Sequence, residues 1–130
     1  MLELNIQNET SKLQTVILGI AHSNGGVPNV EDCYDPKSRQ HVIAGTYPKE
    51  KDMVLEMDAV AEVFKKHNVN VLRPEVIEDY NQIFSRDIAF VIDNKLVKAN
   101  ILPDRDKEFE AIKSVIKKID PKNIIYLPEE

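Results

Sequence analysis

The segment Asn81-Gln82-Ile83-Phe84-Ser85-Arg86-Asp87 brings amides, an aromatic ring, a guanidinium and a carboxylate together. It stands directly ahead of the apolar run Ile88-Ala89-Phe90-Val91-Ile92. Charge at the mouth of a buried strand is costly unless it is paired or used. Two uses are open here. Arg86 and Asp87 form an ion pair that anchors the strand end, or the segment binds a charged ligand. Arg105 and Glu108 follow at i,i+3 spacing. On a helix surface such a pair contributes only about 0.2–0.5 kcal/mol, and the other use of Arg105 is to hold a carboxylate.

The remaining candidate chemistry is thinner. His22, His41 and His67 share no metal-ligand spacing with one another or with Cys33, so no metal is expected. Gly25-Gly26 is followed by neither a helix start nor Gly-Lys-Ser/Thr, which excludes a phosphate loop. No cofactor is expected either. Cys33 lies between Asp32 and Tyr34, and acidic surroundings disfavour the thiolate that a nucleophile needs. It reads as a bystander.

The elements that must position these residues are legible from periodicity. Leu13–Ile20 reads as a buried strand ended by a Gly-containing turn. Residues 21–49 carry two adjacent glycines, a third at 45, and prolines at 28, 36 and 48. They read as one long irregular loop, flexible or serving as a substrate lid. A helix is predicted over 49–67, with Thr46 and Pro48 as start signals. Its apolar stripe is Met53, Met57, Val60 and Phe64, and Asn68 caps its end. Val69–Leu72 follows as a short strand. Ile88–Ile92 and Lys95–Ala99 form a hairpin about Asp93-Asn94. A second helix is predicted over 105–119, with Asp104 as N-cap and Phe109, Ile112, Ile116 and Ile119 buried. Asn123–Leu127 is the last strand.

Each half therefore reads strand, helix, strand. The halves also share an echo: Lys65-Lys66 then Leu72-Arg73-Pro74-Glu75, and Lys117-Lys118 then Leu127-Pro128-Glu129. A period of about 50 residues suggests a repeat architecture.

A chain of 130 residues makes one domain at most. A net charge of −5, with lysines scattered among acids, argues against nucleic acid as the main partner. No apolar run approaches the length of a membrane span, and the N-terminus Met-Leu-Glu-Leu-Asn-Ile lacks the pattern of a signal peptide. A single cysteine fits a cytoplasmic setting.

Asn81-x-x-Phe84-Ser85-Arg86-Asp87, an apolar strand, a hairpin, then Arg105 and Glu108 resembles the guanidine-modifying superfamily of arginine deiminases and amidinotransferases. The deiminases carry Asn-x-x-Phe-Thr-Arg-Asp here, followed by a proline that this chain lacks. Its apolar continuation is closer to the amidinotransferases. The resemblance implies an α/β fold, a partial pentein-like α/β propeller with mixed sheets and helices outside. It would hold about two of five strand-helix-strand units, unit one over about 10–75 and unit two over about 81–128.

It further implies that Asp87 binds a guanidinium, that Phe84 packs on its flat face, and that Asn81 and Arg105 hold the amino-acid end of the substrate. Arg86 is given no contact. In this superfamily a cysteine attacks the guanidinium carbon, and a histidine then acts as acid and base. Neither that cysteine, nor the histidine, nor the family's Gly-Gly-Asp stretch has a matching position before Glu130. The implied function is the N-terminal part of an amidinotransferase-like enzyme acting on a guanidino substrate such as arginine, inactive alone. A deiminase-type hydrolase fragment, a non-catalytic guanidinium-binding module, and an unrelated small α/β domain remain alternatives. A partial fan leaves apolar faces and strand edges uncovered, so a homo-oligomer or a complementary remainder of the fold is the expected partner.

Overall fold

The computed structural model describes residues 1–128, so Glu129 of the second echo lies outside the described residues. The architecture is mixed α/β, built on two small sheets. In the first, β1 (Thr15–Ile17) pairs in parallel with β2 (Asn70–Leu72), with Val16 opposite Val71. In the second, β3 (Ala89–Ile92) pairs antiparallel with β4 (Lys95–Lys98), and β4 pairs in parallel with β5 (Ile124–Tyr126). Helical crossovers make both parallel pairings possible. Helix α2 (Glu50–Lys66) separates β1 from β2, and α3 (Lys107–Glu110) with α4 (Lys113–Ile116) separates β4 from β5.

The five expected strands all form, shorter than their apolar runs suggest. The hairpin turns at Asp93-Asn94, where Asp93 takes a left-handed φ of 52°. The core lies under the second sheet, where Ile88, Leu96, Phe109, Ile112 and Ile119 cluster. Leu2, Leu4 and Ile17 pack against it, so the N-terminal segment helps to close the second half of the molecule.

Three expectations about the helices are corrected. Residues 21–49 are not one irregular loop, because α1 (Pro36–Ala44) forms inside them. Its signals are local. Asp35 accepts a hydrogen bond from the Ser38 N–H at 2.8 Å, Pro36 occupies the first turn, and Gly45 closes the end at φ 69°. None of its residues is buried, so no apolar stripe advertises it. Helix α2 is rotated from its expected setting: Val60 is exposed and Ala61 is buried, while Met53, Met57 and Phe64 do face inward. Its N-cap is Lys49, and Asn68 takes the left-handed conformation just past its end, at φ 60°.

The second helix is not continuous over 105–119. A 3₁₀ turn at Pro103–Arg105 precedes α3, and the ladder breaks again before α4. At that break the Ala111 carbonyl accepts from the Glu75 N–H at 2.8 Å, and Val115 N–H bonds to Ile112 instead. Asp104 caps no helix. It lies inside the 3₁₀ turn, with its carboxylate taken by the Tyr34 hydroxyl. The expected inner face of this region holds nonetheless, with Phe109, Ile112 and Ile119 buried and Ile116 packed against the cluster. Among the described residues no helix is long and apolar enough to cross a membrane.

Candidate functional site

Residues 81–87 are sewn onto the end of β1. The Ile20 N–H donates to the Gln82 carbonyl at 3.1 Å, and the Ser85 hydroxyl donates to the Ile17 carbonyl at 2.9 Å. The two backbones approach so closely that a Cβ at Gly19 would lie 2.0 Å from the Ile83 carbonyl oxygen. Only glycine permits this contact. Gln82 is buried, and both its amide nitrogen and its amide oxygen are hydrogen-bonded. It donates to the Glu75 carbonyl at 2.7 Å and accepts from the Ile77 N–H at 2.8 Å. A buried polar side chain is tolerated only when satisfied in this way. Sequence reading passed over both Gly19 and Gln82. A glycine at a strand end and a glutamine within an otherwise functional segment were the available signals.

These anchors present the 3₁₀ turn Ser85–Asp87 at the molecular surface. Asp87 does not rely on its neighbour. Arg86 is 87% exposed and its Nε stands 3.8 Å from the Asp87 carboxylate, while Nη1 of Arg105 donates to Asp87 Oδ2 at 2.9 Å. The ion pair that matters therefore crosses from the turn before β3 to the turn before α3. The Asp87 side chain remains 44% exposed. Phe84 is exposed, and its carbonyl accepts from Arg105 Nη2 at 3.4 Å. Asn81 spends its side-chain oxygen on the Ile83 N–H at 3.2 Å, a local turn closure.

Glu108 is the least expected member. It follows Arg105 at the anticipated spacing, yet its side chain is only 2% exposed. It accepts from Arg105 Nε at 2.6 Å and Nη2 at 3.2 Å, a two-point grip on the guanidinium edge. The pair is thus no surface decoration. Burial raises the Glu108 carboxyl above its ordinary value, with Arg105 opposing the shift, and Glu108 in turn raises the Arg105 guanidinium. The crevice beneath, lined by Pro74, Gln82, Ser85, Ile88, Glu108 and Ile112, leaves no room for a water molecule. Arg105 is therefore the available counter-charge for Glu108.

The 21–49 segment reaches the same region. The Tyr34 hydroxyl donates to the Asp104 carboxylate, which raises the phenol above its ordinary value, and the Tyr80 hydroxyl donates to the Asp104 carbonyl at 2.5 Å. Ser23 bonds to both Asp79 and Tyr80. The Cys33 thiol donates to the Asn29 carbonyl, away from these residues. Among the described residues no cluster of histidine, cysteine and carboxylate side chains suits a metal ion. A separate groove of about 330 Å³, lined by Lys12, Leu13, Val63, Phe64, His67 and Val69, shares no residue with the site.

The fold has counterparts among solved structures. An inosamine-phosphate amidinotransferase from Streptomyces griseus superposes with a TM-score of 0.68 at 18% identity, over 97% of this chain and 43% of that one. An amidinotransferase of the saxitoxin biosynthetic pathway from Microseira wollei gives 0.64 at 18% identity, over 97% and 42%. The chain thus has the fold of part of an amidinotransferase, and it spans less than half the length of either structure. No protein-family model and no curated protein matches it.

Proposed function

We propose that this chain is part of an amidinotransferase-like protein acting on guanidino compounds, and that residues 81–87 form a wall against which a guanidinium is held. One observation carries this reading. The partly exposed Asp87 carboxylate already accepts a guanidinium N–H, that of Arg105 at 2.9 Å, and Phe84, three residues earlier, is exposed. A carboxylate matches the planar fork of a guanidinium, and a ring face favours its flat side. Asp87 is the binding group, Phe84 the platform, and Asn81 and Arg105 its borders. The likeness to two amidinotransferases supports the choice of reaction class.

In this reading the two halves are about two of five units of a pentein fan. A cysteine thiolate elsewhere in the complete site attacks the guanidinium carbon, the amine leaves, and a second amine takes the amidino group from sulfur. The exposed apolar residues Phe90, Ile92, Ile125 and Tyr126 are then the faces that the remainder of the fold, or a second copy of this chain, covers.

Titration of the isotope-labelled chain with N-ethylguanidine, followed by amide NMR, tests the site. Shifts confined to residues near 84–88 and absent in Asp87→Asn are expected. Unchanged spectra in the parent, or equal shifts in both proteins, refute it.

A further inference from the structure

The guanidinium of Arg105 has five N–H donors, and four are directed at acceptors within the chain. Nε and Nη2 meet Glu108, Nη1 meets Asp87, and Nη2 also meets the Phe84 carbonyl. Among the described residues a single N–H is left without an acceptor. Charge tells the same story. Asp87 and Glu108 together carry two negative charges against one on Arg105. Asp104 and Asp106 flank Arg105 in sequence. The nearby cations Arg86 and Lys107 are exposed, as Asp104 and Asp106 are, so water and salt screen all four. The surroundings of Arg105 therefore carry surplus negative charge.

From this we propose that Arg105 is a positioning residue for Asp87, held in place by the buried Glu108, and does not itself receive a ligand carboxylate. The proposal rests on the reading of Asp87 as a guanidinium-binding group and favours, at this wall, guanidino compounds without a carboxylate near the guanidinium. A ligand carboxylate directed at Arg105 would find one free donor and two carboxylates already in place. To bind there it would have to break the two-point grip of Glu108, leaving that buried carboxylate without its partner. A ligand lacking the carboxylate asks for no such rearrangement. Arg105 instead fixes Asp87 through Oδ2, leaving Oδ1 opposed only by the exposed Arg86 at 3.8 Å.

L-Arginine and L-argininamide separate the two possibilities when compared at about pH 6, where both α-amines are protonated and the carboxylate is the difference. Dissociation constants for both are measured by NMR titration of the full chain, the parent beside Asp87→Asn and Glu108→Gln. Argininamide is expected to bind the parent at least as tightly as arginine, and Asp87→Asn to weaken both. Glu108→Gln removes one of the competing charges and should move the ratio toward arginine by roughly three- to tenfold, the scale of a single net hydrogen bond. A parent preference for arginine of about tenfold or more overturns the inference and leaves the guanidinium site standing. A Glu108→Gln ratio unchanged from the parent overturns the role given to Glu108. Binding of neither ligand overturns the site reading and this inference with it.

Discussion

Removing Arg105 should expose how strongly the site depends on a buried charge. In Arg105→Met the aliphatic stem keeps much of its packing, but Glu108 loses both hydrogen bonds while its side chain stays 2% exposed. Breaking a buried pair by removing one partner costs about 3–5 kcal/mol. Arg105 is itself 27% exposed, so screening lowers the expected loss to about 2–4 kcal/mol. For a domain whose whole stability is about 5–15 kcal/mol, that is a large fraction. The chain has no tryptophan, so urea unfolding is best followed by far-ultraviolet circular dichroism.

Adding Glu108→Gln to Arg105→Met removes the stranded charge, and the double variant should recover at least half of the loss. The pH dependence has a definite sign. Burial holds Glu108 above its ordinary value of 4.5 in the folded chain, so between that value and the folded one the folded state binds a proton that the unfolded state has released. Stability from this group is greatest below 4.5 and falls as pH rises through the folded value. Without Arg105 the folded value climbs further, so the penalty of Arg105→Met should be larger at neutral pH than near 4.5. A loss below about 0.5 kcal/mol at neutral pH, within the range of ordinary surface substitutions, would refute this account. A double variant no more stable than the single one would do the same.

Gly19→Ala places a methyl 2.0 Å from the Ile83 carbonyl oxygen and forces β1 away from residues 82–85. Overpacking together with loss of the Ile20–Gln82 and Ser85–Ile17 hydrogen bonds should cost about 3 kcal/mol, read as a lower urea midpoint, and a parent-like midpoint would show that the two backbones separate freely. Asp35→Ala should fray α1, seen as faster hydrogen exchange at the Ser38 amide. Because that hydrogen bond lowers the Asp35 carboxyl below 3.8, protection in the parent should be present above that value and fade as pH falls through the folded one; pH-independent protection would contradict the cap.

Much of the architecture was legible in the residues because it rests on apolar periodicity. The strands, α2, and the buried face of Phe109, Ile112 and Ile119 were all read from spacing alone. Helix α1 was not, since nothing in it is buried and its capping residues also occur in loops. The break between α3 and α4 was not legible either. It depends on a carbonyl of Ala111 turning toward Glu75, a partner far away in sequence. At the site, Asp87, Phe84 and Arg105 stood out by residue type and order, and the structure brings Asp87 and Arg105 into contact. The pairing of Asp87 with Arg86, one of the two readings open from adjacency, is present only as a long 3.8 Å contact with Arg86 87% exposed.

The kinds of group at this site, and their order along the chain, belong to the sequence. A carboxylate and an aromatic ring before an apolar strand, with an arginine and a glutamate beyond the hairpin, are readable without coordinates. Which charges meet is a different matter. An ion pair contributes according to distance and burial, and both arise only when β1 closes against residues 82–85 and α3 folds over Ile88. That closure buries Glu108, commits most of Arg105 to it, and leaves Asp87 facing outward. The same four residues, spaced the same way on an open surface, would have made only weak, screened pairs.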